Sequence, residues 1–349
     1  MRTEAQMTAS WKKLSPPLVS VICPTFNHER YIRQAVESIL AQKTDFPFEI
    51  VIHDDASTDS TSSIVKQLAD EYPTIVRAIL QTENQYSRGV KITPLVVPHT
   101  SGKYIAFCEG DDYWTSPDKL QRQVEILEAN PQLVICGHLC ANVDQDGEPL
   151  AVSSFTGARC PSRFTIADAA TGTPIHPSSW VYRRFDWTGN QRSELLNSLP
   201  AADDPMMLIL LTMGDGHCLR ECWSAYRLHP GGSWSNKAEY RKRFDMMRFH
   251  VAAYGLIPSR LMFRQSIAVS RSMIQLLREL LKACLRARSV KPLLEFFHQF
   301  RIQQTLTHPQ FLAAAIMALV LFPTLVVAKL WKEVAAMLKR SSGKECADV

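Results

Sequence analysis

The sequence predicts an α/β domain, a mostly parallel sheet with helices on both faces, followed by a basic helical extension. Three observations carry this reading. Short, nearly continuous apolar runs rich in β-branched residues alternate with helical patterns over the first half of the chain. The polar clusters 24–28, 54–59 and 109–112 each begin where one of those runs stops, which is where open parallel sheets gather ligands. Beyond residue 254 the charge balance changes: 14 Lys and Arg face 5 Asp and Glu there, against 25 and 29 before it.

In order, residues 1–17 are polar and patternless and read as a loose leader. Leu18–Cys23 is a strand ending at Pro24, and Glu29–Gln42 follows as a helix with Tyr31, Ile32, Ala35, Val36, Ile39 and Leu40 on one face. Phe48–His53 repeats the strand and Thr61–Glu71 the helix, with Ile64, Val65 and Leu68 inward. Val76–Leu80 and Tyr104–Cys108 are further strands, and Lys119–Asn130 is a helix stopped by Pro131. Leu133–Leu139 reads as a strand that returns as a hairpin through the turn Asp144-Gln-Asp-Gly147. A short helix at 164–170, a strand at 178–182, an apolar helix at 205–213 and a strand at 216–223 complete the sheet region, and the glycine-bearing stretch Tyr226–Ser235 reads as a loop. The domain therefore spans 18–235, and 236–349 is a helical, basic region.

With 349 residues, 46% of them hydrophobic and 21% charged, the chain is too long for one ordinary domain and too apolar to be disordered. Nine cysteines, an odd number scattered through strand and helix patterns with no secretory signal before them, read as reduced cytosolic thiols. The groups Cys136, His138, Cys140 and His217, Cys218, Cys222 match no common zinc spacing. A basic tail on an otherwise acidic body suits an anionic surface and argues against a nucleic-acid groove. Residues 311–328 carry no charge and are interrupted by Pro323, with Arg301 before them and Lys329, Lys332, Lys339 and Arg340 after. This pattern is read as attachment to the inner face of a membrane from the cytoplasm by an interfacial or re-entrant hairpin; a span and a buried packing helix are the alternatives.

The acidic clusters carry the chemistry. Glu109-Gly-Asp-Asp112 places three carboxylates in four residues at a strand end. They repel one another unless a divalent cation sits among them, and oxygen ligands favour Mg²⁺ or Mn²⁺, which would bridge to phosphate. Asp54 and Asp55 close the second strand, placed either to accept hydrogen bonds from a nucleobase or ribose or to cap the next helix. Pro24-Thr-Phe-Asn27 offers backbone groups and a hydroxyl to the same ligand.

Val19-Ser-Val-Ile-Cys-Pro-Thr-Phe-Asn27, Asp54-Asp-Ala-Ser-Thr-Asp59 and Glu109-Gly-Asp-Asp112 together resemble the successive signatures of family 2 glycosyltransferases with the GT-A fold, over roughly residues 18–235. The resemblance implies a nucleotide-sugar donor, a divalent metal and transfer with inversion at the anomeric carbon. Carried over by position, Pro24, Thr25, Asn27, Asp54, Asp55, Glu109, Asp111 and Arg227 would face the nucleotide-sugar. Asp111, Asp112 and His229 would hold the metal. Glu109 departs from the family's usual first aspartate, which leaves Asp111 the safer ligand. Ala202-Asp-Asp-Pro-Met-Met207 resembles the element that supplies the base, with Asp203 first and Asp204 second. Arg227-Leu-His-Pro-Gly-Gly232 resembles the loop that brings a histidine to the metal or pyrophosphate, and His176 lies in a segment resembling one on the acceptor side.

The expected activity is transfer of a sugar to a hydroxyl of a saccharide or lipid-linked saccharide in surface-polymer synthesis. Two rivals stand beside it. A sugar-phosphate nucleotidyltransferase would need a glycine-rich, basic phosphate loop where this chain has Pro24-Thr-Phe-Asn27. A non-catalytic membrane-associated scaffold of the same fold would show no donor turnover.

Overall fold

A computed structural model describes residues 3–11, 16–151, 161–170, 174–186, 203–232, 234–235, 237–253 and scattered positions from 272 to 286. Contacts divide the chain into two units, Met1–Asn236 and Lys237–Val349. In the second, the longest described element is a helix, Glu239–Ala253. The apolar stretch 311–328 lies outside the described residues, and no helix among those described is long and apolar enough to cross a membrane.

The first unit is built on nine strands: β1 (Val19–Thr25), β2 (Phe48–Asp54), β3 (Val76–Leu80), β4 (Tyr104–Phe107), β5 (Tyr113–Trp114), β6 (Leu133–Val143), β7 (Arg163–Phe164), β8 (Val181–Arg183) and β9 (Asp215–Arg227). The strand order is β3-β2-β1-β4-β8-β6-β9-β5, with β7 also pairing β9. β1 is parallel to both β2 and β4, β2 to β3, and β6 to β9; β8 enters antiparallel between β4 and β6. Two antiparallel steps restore direction, so β9 runs the same way as β1 and their carboxyl ends share one edge. β1 is buried on both faces, which is why its apolar run is continuous rather than alternating.

Helices cover the sheet with the faces the periodicity predicts. α2 (Ile32–Leu40) buries Ile32, Ala35, Val36, Ile39 and Leu40, and α3 (Thr61–Glu71) buries Val65 and Leu68. α5 (Lys119–Ala129) buries Leu120, Val124 and Leu127. α7 (Asp203–Leu211) is apolar on every side, with Met206 through Leu211 all buried, and so packs as an internal helix. The short helices α1 (Glu4–Thr8), α4 (Ile92–Val96) and α6 (Ile166–Ala169) precede β1, β4 and β8.

Several expectations change. Residues 3–11 are not loose: Thr3 and Gln6 form a capping box, Met7 is buried in the core, and the Glu4 carboxylate accepts the Thr74 and Ile75 N–H groups. After the turn at Asp144–Gly147 the chain turns back on β6 through an isolated bridge, Val143 to Pro149, and the Leu150 N–H donates to the Asn142 carbonyl, with no returning strand among the described residues. Instead β6 runs on to Val143 because β9 pairs with it in parallel as far as Arg227. The apparent loop at Tyr226–Arg227 is therefore strand, a tertiary pairing that local composition does not report.

Lys119 is fully buried, its ammonium 4.0 Å above the Trp114 ring with no hydrogen-bond partner among the described residues. Burial pulls its pKa down to about 7, partly countered by Cys108 and Cys136. Between about 7 and the ordinary 10.5 the unfolded chain holds the extra proton, so this residue makes stability rise with pH across that window. Below it both states are protonated and the full desolvation cost remains. Lys119→Met is expected to raise the Tm at pH 7 and flatten the rise toward pH 10 in thermal unfolding. An unchanged Tm with the same pH slope refutes this account.

Candidate functional site

At the carboxyl edge of the sheet the β1–α2 loop is bolted to the β2–α3 loop. Asn27 sits in the left-handed region at φ 55°, a conformation asparagine tolerates better than most residues. Its N–H donates to Ser57 Oγ (2.9 Å) and its Oδ1 accepts the Thr58 N–H (2.8 Å). The His28 N–H donates to Thr61 Oγ1, the Glu29 N–H to Asp59 Oδ2, and the Ser60 N–H back to Glu29 Oε2. Asp54 accepts from the Ser57 and Ser62 hydroxyls and so holds the start of α3. Asn27 and Asp54, both expected to face the ligand, are thus committed to joining loops. Asp55, buried, accepts the Gln85 and Tyr86 N–H groups at 2.8 and 2.9 Å and fixes the segment carrying the exposed Tyr86.

The acidic loop follows β4 and lies against the end of β1, where the Gly110 N–H donates to the Pro24 carbonyl (2.9 Å). A Cβ on Gly110 would stand 2.6 Å from Thr25 Oγ1 and 3.1 Å from His28 Nδ1, so this crossing admits no side chain. Asp111 is 8% exposed; its Oδ2 lies 2.9 Å from His229 Nε2 and 3.6 Å from His28 Nε2, and its Oδ1 is buried without a hydrogen-bond partner among the described residues. Burial is the largest influence on this carboxyl and works to raise its pKa. The two imidazoles, His28 first, more than offset it and hold Asp111 below the usual carboxylate value. The ligand atoms of His28, Asp111 and His229 all lie within 4.8 Å of one another, a donor set that fits a divalent cation.

Asp112 does not join that group. Its Oδ1 accepts the Arg227 N–H (3.0 Å), and its Oδ2 lies 4.0 Å from His176 Nδ1. Burial, then the charges of Asp111 and Glu109, push its pKa well up. Asp112, expected from the sequence as a metal ligand, has one oxygen taken by the β9 backbone, while its Oδ2 is buried without a hydrogen-bond partner among the described residues. Glu109 is likewise pushed well above the ordinary range by burial, then by Asp111 and Asp203. Asp203, half-buried at the start of α7, thus acts on Glu109 through its charge. Asp204 follows it in α7, and its side chain lies outside the described set.

β9 ends on Arg227, expected from the sequence to face the nucleotide-sugar. Its Nε donates to the Asp111 carbonyl (2.9 Å), Nη1 to the Gln145 carbonyl (3.0 Å) and Nη2 to Gln34 Oε1 (2.7 Å). The guanidinium lies between the Tyr31 and Tyr113 rings, 4.6 and 5.2 Å from their centroids. At 3% exposed it braces the acidic loop from beneath. Two residues on, His229 Nδ1 accepts the Gly231 N–H (3.2 Å), which leaves the ring proton on Nε2, facing Asp111. The ring packs edge-on against Tyr31, centroids 4.9 Å apart, and borders a cavity of about 280 Å³ lined in part by Asn27, Asp59, Gln145 and Gly231. His176 is buried against Tyr226 with its Nδ1 2.8 Å from Ser178 Oγ, and burial holds its pKa down to about 3, so it is neutral.

Carboxylates and imidazoles gather at the strand ends of a mainly parallel sheet, the edge where such sheets bind their ligands. Known proteins specify the class. The family described as Glycosyl transferase family 2 matches residues 20–188. The putative teichuronic acid biosynthesis glycosyltransferase TuaG of Bacillus subtilis (strain 168) is 31% identical over 236 residues, 67% of this chain and 86% of that protein. The chain belongs to glycosyltransferase family 2. A Mycobacterium tuberculosis protein (strain ATCC 25618 / H37Rv), named as uncharacterized, is 33% identical over 237 residues, and this match spans 66% of the chain and 65% of the relative's length. In structure, S. aureus TarS 1–349 in complex with UDP-GlcNAc aligns with TM-score 0.52 at 19% identity, over 74% of this chain and 72% of that one, which shows the shared GT-A fold.

His28 is the functional candidate that sequence reasoning missed, since one histidine next to Asn27 carries no metal spacing of its own. Phe26, 41% exposed beside it at the end of β1, is a second residue whose only sequence signal was an aromatic at a strand end. The bracing role of Arg227 is testable. Arg227→Ala is expected to cost about 2–3 kcal/mol in chemical denaturation by leaving buried acceptors unpaired. A phosphate-binding arginine would leave stability unchanged and weaken only donor binding.

Proposed function

We propose that the chain transfers a sugar from a nucleoside-diphosphate donor to a hydroxyl of a saccharide or lipid-linked saccharide acceptor, with inversion, in the synthesis of a surface polysaccharide. The observation that carries this reading is the meeting of Asp111 and Glu109, from the loop after β4, with His229, from the segment after β9, where the charge of Asp203 at the start of α7 also acts on Glu109. Family membership and the teichuronic acid relative support the acceptor class, and the basic region after residue 254 suits a lipid-linked one.

Asp111 and His229 would hold a divalent cation, which when bound offsets the charge growing on the leaving diphosphate. Glu109, its pKa raised, lies beside Asp111 on the donor side. Thr25 presents a buried hydroxyl with no hydrogen-bond partner among the described residues, and the exposed Phe26 ring offers a stacking face toward the base. Asp203 takes the proton of the acceptor hydroxyl as that oxygen bonds to the anomeric carbon and the bond to the diphosphate oxygen breaks on the opposite face. No covalent intermediate forms. A nucleotidyltransferase is disfavoured because the β1–α2 loop is fastened through Asn27, His28 and Glu29 and has no glycine-rich basic cradle.

Asp203→Asn is expected to lower transfer by about 10²–10⁴-fold while donor affinity, measured by thermal shift across a panel of nucleotide-sugars, is retained. Turnover at the parental rate would exclude Asp203 as base. Chelation of divalent cations is expected to abolish donor hydrolysis and Mn²⁺ to restore it; a protein inert under both conditions is a scaffold.

A further inference from the structure

We propose that His28 is a third protein ligand of the cation, so that two imidazoles and one carboxylate hold it and select a first-row transition ion over Mg²⁺. The inference rests on the cation reading given under Proposed function and extends it to a residue outside that assignment. His28 Nε2 stands 3.6 Å from Asp111 Oδ2, and the His28 and His229 rings meet edge-on with centroids 5.9 Å apart. The three ligand atoms come from three separate places: the β1–α2 loop, the loop after β4 and the segment after β9. Asp111 Oδ1 is buried and unpartnered among the described residues, so the carboxylate is not satisfied by the cluster's own hydrogen bonds.

His28 is held in place before any ligand arrives. Its N–H is tied to Thr61 Oγ1, Asn27 and Glu29 on either side are tied to the β2–α3 loop, and Gly110 packs against its ring. Such fixed imidazoles suit a metal site, since a ligand already oriented loses little entropy on binding. Ligation through His229 Nε2 moves that ring's proton to Nδ1 and turns the Gly231 N–H aside, a movement two consecutive glycines permit. Mg²⁺ prefers an octahedron of oxygens and keeps several waters, whereas imidazole nitrogen favours first-row transition ions. The set expected from the sequence, Asp111, Asp112 and His229, has one imidazole rather than two and would discriminate less between Mg²⁺ and Mn²⁺.

The test is Mn²⁺ binding to the full chain, followed by loss of the free-ion EPR signal, by Mg²⁺ competition and by pulsed EPR of directly bound nitrogen. The wild type is expected to show two coordinated imidazoles and to yield Mn²⁺ only to a large excess of Mg²⁺. His28→Gln, close in size and checked for unchanged thermal unfolding without metal, is expected to show one imidazole and roughly tenfold or more weaker binding. Should His28→Gln fold poorly, the nitrogen count in the wild type decides alone. One imidazole in the wild type, unaltered affinity in His28→Gln, or Mg²⁺ competing on equal terms overturns this proposal and leaves Asp111 and His229 as ligands. Absence of Mn²⁺ binding in the wild type, or undiminished binding in Asp111→Asn, overturns the cation reading itself and this proposal with it.

Discussion

The electrostatic strain of three carboxylates in four residues governs the architecture of this edge of the molecule. Glu109, Asp111 and Asp112 sit in a loop that is largely shut off from water, where like charges a few ångströms apart cannot all be ionised without compensation. The surroundings treat them unequally. Asp111 keeps its charge through two imidazoles, while Asp112 and Glu109 are driven toward the protonated form. Arg227 lies beneath the same loop, holding its backbone at the Asp111 carbonyl and the Asp112 carboxylate together. The residue that is electrostatically favoured as an anion is thus also the one that the histidines surround.

Main-chain pairing sets these distances. β5 leaves the acidic loop immediately and pairs with Ser224 and Ala225 of β9, two residues before Arg227 and four before His229. β4, on the other side, is locked in register with β1, whose end leads to His28. The carboxylate is therefore fastened through backbone ladders to both histidine-bearing segments, and side-chain rotamers make only the last adjustment.

Much of this was legible in the sequence. The four parallel strands and their helices announce themselves by continuous apolar runs and by the inward faces of α2, α3 and α5, and each polar cluster falls at a strand end because of that pattern. The GT-A fold implied by the three motifs is the fold observed. What was not legible depended on partners distant in sequence. Arg227 reads as a free cation until Tyr31, Tyr113 and Gln34 are seen around it. Asp54 reads as a ligand group until Ser57 and Ser62 claim its oxygens. His28 approaches Asp111 only because β1 and β4 are neighbours, a pairing across more than eighty residues, and β9 extends to Arg227 only because β6 lies beside it.

The hydrogen bonds from Asn27, His28 and Glu29 to the β2–α3 loop weld two strand-end loops into a single rigid platform. A change in either loop is therefore transmitted to the other. Across the site, the Gly231 N–H donates to His229 Nδ1 at 3.2 Å and the Gly232 N–H to the His229 carbonyl at 3.1 Å, so this histidine is held by its own turn while His28 is held by a neighbouring loop.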